Sequence, residues 1–215
     1  MAKVYIYVVA RDFGFAPNPF HGVCTLATCK PVIRRTAQVG DWVIGMGGSK
    51  LKAVGRCIFA MQVTDALTFD EYWAAPEYRA KQPVRNGSRK TIVGDNIYHH
   101  TAAAHNWHQE DSHHSQPDGA PDPSNIQHDT QTDRVLISDH FLYFGKAAPL
   151  VPEEVLRDIG FHNRVGHRVY PLADARPLLS WLNEAFGSKV NHVLGDPFQF
   201  TQSSARYSKR VDRII

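Results

Sequence analysis

The chain has 215 residues, 43% of them hydrophobic, 21% charged and 11% aromatic, the profile of one globular domain, which excludes intrinsic disorder. No run approaches the roughly 18 to 20 apolar residues that a membrane-spanning helix requires, so no membrane partner is expected. The formal charge of +3 hides an asymmetry: residues 91–133 contain seven acids and no Lys or Arg, and the rest of the chain holds all 24 basic residues against 14 acids.

Residues 4–9, rich in Tyr and β-branched side chains, predict a buried first strand. They do not read as an export signal, because they run straight into Arg11-Asp12 with no small-x-small cleavage site, and a cytoplasmic protein is expected. At the end of that strand Arg11 offers a planar fork suited to phosphate or to the acceptor edge of a base, and Asp12 a carboxylate that accepts from an exocyclic amine. An ion pair between the two, or with the following loop, is the plainer alternative. The loop over 13–20 sets Phe13, Phe15 and Phe20 among Pro17, Asn18 and Pro19. A stiff aromatic loop serves either as a stacking surface for a base or as cover for a core. Cys24, Cys29 and Cys57 are odd in number and lack CxxC spacing, so they are expected reduced and buried, with neither a disulfide framework nor a zinc knuckle.

Residues 42–45 and 54–63 are the next strand candidates. Between them Gly45-Met46-Gly47-Gly48 lets a backbone approach a ligand or turns a tight hairpin, and it lacks phosphate-loop spacing. Lys30, Arg34, Arg35, Lys50, Lys52 and Arg56, followed by Arg79, Lys81, Arg85, Arg89 and Lys90, give residues 1–90 a basic excess that would track phosphates, DNA included, on a salt-sensitive face. Thr68-x-x-Glu71 has capping-box spacing and predicts a short helix from Phe69 that weakens near Pro76.

The acidic stretch 91–133 holds seven of the 12 histidines, His99, His100, His105, His108, His113, His114 and His128, and reads as a long insertion loop. A lid in which Trp107, His114 and Ser115 close over a ligand is expected of it. His105-x-x-His108 would set two imidazoles on one helical face, with His113, His114, Glu110 or Asp111 completing a metal site or an acid–base pair. Neither HExxH nor HxE with PCxxC is present, so neither a metal nor another cofactor is expected. Lying between Asp95 and Asp133, these imidazoles are expected to titrate near neutrality.

A strand over 135–138 follows, then helices over 153–159 and from Asp174 to a stop at Gly187, the latter carrying an apolar stripe through Leu178, Leu182 and Phe186. The basic tail, Arg206, Lys209, Arg210 and Arg213, either adds to a nucleic-acid face or frays. Short strands with peripheral helices predict an α+β domain, as a small barrel, spanning 1–215.

The block 39–48, then 53–64, then Phe69-x-x-Tyr72-Trp73, resembles the strand-turn-strand-helix heart of PUA-like domains, and Phe141-Leu-Tyr143-Phe144-Gly145 is similar to a later strand of the EVE and YTH branches. More closely, residues 11–20, Cys24-Thr-Leu-Ala-x-Cys29-Lys-Pro31 and Gly94-Asp-Asn-Ile-Tyr98 resemble the bacterial and phage family called nucleotide modification associated domain 2, over nearly the whole chain. The resemblance implies a PUA-like β-barrel whose pocket recognises a modified base or nucleotide. Carried onto this chain, that pocket is bordered by Arg11 and Asp12, the loop 13–20, and Met46, Gly47 and Gly48. The acidic, His-rich insertion is a departure from simple base readers.

The reading expected from all this is binding of a modified or unusual nucleobase or nucleotide within a bacterial or phage DNA-modification or defence system. A nucleotide- or base-modifying hydrolase or group transferase, with Asp12 or His114 as base, is the alternative. A third is a subunit docking a DNA-modifying enzyme.

Overall fold

The computed structural model describes residues 2–101 and 104–215, the side chains of 104 and 105 apart, and is α+β. In chain order the strands are β1 (Lys3–Val9), β2 (Cys24–Leu26), β3 (Trp42–Gly47), β4 (Cys57–Gln62), β5 (Asp65–Leu67), β6 (Tyr98–Thr101), β7 (Ala104–Gln109), β8 (Val135–Ser138), β9 (His140–Tyr143), β10 (His167–Pro171), β11 (His192–Val193), β12 (Tyr207–Ser208) and β13 (Arg213–Ile214). The α-helices are α1 (Pro31–Thr36), α2 (Phe69–Ala74), α3 (Arg89–Ile92), α4 (Pro123–Asp129), α5 (Glu153–Asp158) and α6 (Arg176–Phe186).

The main sheet has six strands in the order β10-β1-β3-β4-β9-β11. Val4, Tyr5, Ile6, Tyr7 and Val9 are all buried, so β1 hides both faces, as an interior strand with a parallel neighbour does; it pairs parallel with β3 and antiparallel with β10. A second sheet runs β2-β8-β5. The two are joined by one bent antiparallel ribbon: β4 and β9 pair in the first sheet, β5 and β8 in the second, and the Thr64 amide donates to the Ile137 carbonyl at the corner (2.9 Å). Two apolar clusters follow. One fills the main sheet against α6 through Leu178 and Leu182; the other gathers Phe13, Phe15, Phe20, Phe69, Tyr72, Ile97 and Tyr98 beside the second sheet.

The expected barrel does not form. Among the described residues β10 and β11 remain the two open edges of the main sheet. The capping box at Thr68 is present, the Glu71 amide donating to the Thr68 hydroxyl and the Thr68 amide to the Glu71 carboxylate, and α2 stops before Pro76. Gly187 ends α6, at φ −56° and therefore without the left-handed stop that glycine offers.

The stretch 91–133 is not an insertion loop. Tyr98 to Thr101 and Ala104 to Gln109 make the β6–β7 hairpin, and Asp122 caps α4 by accepting from the Ser124 and Asn125 amides ahead of Pro123. Histidines on both strands mask the alternation that would have signalled a ribbon. The phosphate-tracking face loses two members: Arg34 and Lys81 are 0% and 1% exposed. The Lys81 ammonium donates to the Asn18 and Val23 carbonyls, the Asn18 side chain and the Thr25 hydroxyl, so it serves the second core and not the surface. No helix among the described residues is long and apolar enough to cross a membrane.

The glycine run after β3 is shaped by packing. A Cβ on Gly47 would stand 2.2 Å from the Ala53 carbonyl oxygen, main chain that cannot swing aside. Gly47→Ala should therefore destabilise the fold by about 1 to 3 kcal/mol, read as a lower urea midpoint at unchanged m-value.

Candidate functional site: a cysteine–histidine–aspartate relay in a basic cavity

Beyond the carboxyl end of β1 lies a cavity of about 700 Å³. Its walls come from Tyr7 to Arg11, Phe13 and Phe15, the Cys29 turn, Gly48 to Lys50, the histidines that follow β7, and the β12–β13 hairpin. That volume falls in the range of small-molecule sites.

Three side chains from distant segments meet at its edge. Cys29, half-buried, sits between β2 and α1; His114, 2% exposed, in the turn after β7; Asp129, 0% exposed, is the last residue of α4. The Cys29 Sγ lies 3.7 Å from His114 Nε2, and His114 Nδ1 lies 2.7 Å from Asp129 Oδ2. Both ring nitrogens are thus committed on opposite sides of the imidazole. This suits a nucleophile, an acid–base group and an orienting carboxylate in line better than three ligands around one ion.

The arrangement is fixed from behind. The Asp129 carboxylate also accepts from the Cys29 amide (2.8 Å) and the Tyr98 hydroxyl (3.0 Å). Arg34, wholly buried, donates to the Cys29 carbonyl (2.8 Å) and to the carbonyls of Asp129, Thr132 and Arg134. Held at both its amide and its carbonyl, Cys29 adopts φ 56° and Lys30 φ 41°, consecutive left-handed residues ahead of Pro31. Such conformations persist in non-glycine residues only where the surroundings impose them, and they cluster at functional sites.

Electrostatics separate the two adjacent histidines. Burial opposes charge on His114, but the Asp129 carboxylate and the Cys29 sulphur outweigh it and push its pKa up to about 10. Asp129 is correspondingly lowered: burial would raise it, but the charge and hydrogen bond of His114 prevail, with Arg34 assisting. His113, buried and beside that charged neighbour, is driven down to about 3. Its Nδ1 donates to the Ala205 carbonyl (2.6 Å), leaving Nε2 as an acceptor, and its ring packs on Phe13 and Phe15. At neutral pH one imidazole is therefore charged and the other neutral, and neither titrates there as the sequence suggested.

The cavity is cationic and aromatic. Lys30, Lys50, Lys209 and Arg11 line it against Asp212, with Tyr7, Phe13, Phe15 and Tyr207 among the rings. The Tyr7 hydroxyl, buried beneath it, makes no hydrogen bond among the described residues.

Of the residues singled out from the sequence, Arg11, Phe13, Phe15, Gly48 and His114 line the cavity. Arg11 is engaged, its guanidinium 3.1 Å from the Asp212 carboxylate and over the Tyr207 ring. Asp12 does not reach the cavity: buried, its carboxylate accepts from the Tyr143 hydroxyl and the Phe198 and Gly14 amides, and so ties the β1 exit to the turn at 197–199. Asn18 and Phe20 also lie elsewhere, one holding the Val93 carbonyl and Lys81, the other stacked on Phe200. Met46 is core, and Gly47 abuts Ala53. Trp107 packs on Phe69 and His100, and Ser115 hydroxyl donates to the Glu110 carbonyl, so neither is part of a lid over this cavity. Cys29 and Asp129 were missed: their spacing to His114 follows no motif, and only the Cys29-Lys-Pro31 turn ahead of α1 hinted at a special position. The basic tail forms a cavity wall, the Tyr207 amide donating to the His113 carbonyl (2.7 Å).

The His114–Asp129 pair carries a pH signature. Because the folded state raises the His114 pKa from 6.5 to about 10, the stabilisation is complete below pH 6.5 and is lost as pH climbs through 10. Asp129→Asn removes the counter-charge, so its melting temperature should fall below wild type, with the gap narrowing between neutral and alkaline pH in thermal denaturation.

No curated protein and no solved structure matches the chain, so the PUA-like expectation gains no structural counterpart. The family model described as nucleotide modification associated domain 2 matches residues 1–204, which include Cys29, His114 and Asp129 and stop short of the β12–β13 wall, and the chain belongs to that family.

Proposed function

We propose that the protein is a cysteine-dependent enzyme acting on a modified or unusual nucleobase or nucleotide, a hydrolase or acyl-group transferase within a bacterial or phage DNA-modification system. The observation that carries this reading is the Cys29–His114–Asp129 relay opening into the cavity. A cysteine sulphur within reach of an imidazole that a buried carboxylate orients is the arrangement of a nucleophile with its acid–base partner.

In the reaction Cys29 attacks as the thiolate, its proton released before the attack, and the sulphur bonds to an electrophilic carbonyl carbon of the substrate. The carbonyl electrons move onto oxygen; as they return, the leaving group departs with the proton of His114, leaving a thioester. Water, or an acceptor amine or hydroxyl, gives its proton to His114 and displaces the sulphur, restoring the starting state. Asp129 stays ionised throughout and keeps the imidazole aligned.

Binding of the base, the reading the sequence favoured, becomes the recognition half of this activity. Phe13, Phe15 and Tyr207 line the space a base would occupy, and Lys30, Lys50 and Lys209 would hold phosphate oxygens. The match to a nucleotide-modification family supports the substrate class.

Alkylation by iodoacetamide tests the nucleophile without a known substrate. Peptide mapping should find Cys29 modified, with Cys24 and Cys57 untouched, since burial pushes both thiols up to about 12. His114→Ala should slow the Cys29 reaction at neutral pH by about tenfold or more. Against a panel of acylated and amidated nucleotides, Cys29→Ser should cost at least about 10³-fold in turnover; an unreactive Cys29, or turnover that survives the serine, overturns the reading. Nucleoside monophosphate affinity should fall with rising salt and fall further in Lys50→Glu, measured by calorimetry.

A further inference from the structure

We propose that His99, His108 and Glu110 form a three-ligand site for a divalent transition ion of the zinc class on the β6–β7 ribbon. The ribbon itself dictates the grouping. His99 and His108 are directly opposed across the two strands, and Glu110 follows His108 by two positions, so all three belong to one face. Tyr98 and Gln109, the adjoining cross-strand pair, belong to the other. The site is separate from the relay and does not depend on the catalytic reading.

The distances fit an ion. His99 Nε2 and His108 Nε2 lie 3.1 Å and 3.3 Å from Glu110 Oε1, and the three ligand atoms all lie within 4.8 Å of one another. Tetrahedral zinc with bonds of about 2.0 to 2.1 Å has ligand–ligand edges of roughly 3.3 to 3.4 Å. The tautomer fits too. His99 Nδ1 stands 3.3 Å from the His100 carbonyl, which only accepts, so Nδ1 carries the hydrogen and Nε2 is the nitrogen that an ion would take, in place of its contact with Glu110; a donor bond from the other nitrogen is the usual outer support of a metal-bound imidazole. Trp73 stacks on the His99 ring, centroids 4.1 Å apart at 14°, and holds its plane. Three atoms able to ligate thus converge on one space, which a cation would fill. Three protein ligands leave a fourth position for water or a ligand, on the side where His108 is exposed.

Occupancy would reach the relay through the ribbon. On the opposite face the Gln109 amide donates to the Tyr98 hydroxyl and the His114 carbonyl, and Tyr98 donates to Asp129.

The test is zinc titration of the chelator-stripped full chain by calorimetry, with metal content checked by mass spectrometry. An equivalent of zinc that persists in Cys29→Ser and is weakened in His108→Ala by more than the roughly 10- to 100-fold typical of losing an outer-shell partner supports the site. His108 is exposed, so its loss leaves the fold intact, as a thermal melt will verify, and Glu110→Gln provides a second, near-isosteric check. Absence of zinc binding by the wild type, binding unchanged in both variants, or binding lost in Cys29→Ser overturns it. The first two outcomes leave imidazolium–carboxylate ion pairs as the explanation of the cluster, and the third puts the ion at the relay.

Discussion

A carboxylate with no solvent exposure must be answered on its lone pairs by donors and by opposite charge, and Asp129 is the group around which this constraint has organised the molecule. His114, Tyr98 and the Cys29 amide satisfy its oxygens, and Arg34 brings a second positive charge while pinning the carbonyls of the segment that follows α4. Because those partners come from the β6–β7 hairpin with the turn after it and from the Cys29 turn with the helix it leads into, satisfying one buried charge draws both segments onto the end of α4. The left-handed backbone at Cys29 and Lys30 is the local cost of that convergence, and its result is a sulphur at the rim of a cavity.

The contrast between His113 and His114 shows how little sequence separates opposite roles. One imidazole faces a carboxylate and holds its proton; its neighbour is buried among rings beside that charge and gives its proton up. The cationic and aromatic lining of the cavity is what the proposal of a flat, anionic substrate rests on.

How much of this was legible depended on whether a signal was local. The first strand, the strand over 135–138 and the Thr68 capping box are written in periodicity or in fixed spacing, and each appears as expected. The β6–β7 ribbon was hidden because histidine counts as polar on both faces, so the alternation between Gln109 inside and His108 outside cannot be seen in composition. Arg34 and Lys81 read as surface charge because nothing local reveals that main-chain carbonyls from distant turns will surround them. The cavity walls at Arg11, Phe13, Phe15, Gly48 and His114 were reached through the resemblance and the histidine bias. Cys29 and Asp129 were not, since a relay assembled across 100 residues leaves no motif.

The placement of β1 bears on how the chain acquires this site. β1 is an interior strand whose neighbours are β3 and β10, so its ladder is complete only when residues 167–171 have been made, and the cavity only when the segment carrying Tyr207 and Asp212 closes on Arg11, 201 positions away along the chain. Pairings of such long range are slow to form, because loop closure must precede the contacts that reward it. During synthesis β1, apolar on both faces, can pair with β3 early but waits for β10 until residues 167–171 have emerged. The free edge of β1 is therefore covered late, and the Cys29 turn acquires its full surroundings only once the segment at 207–212 has closed on Arg11.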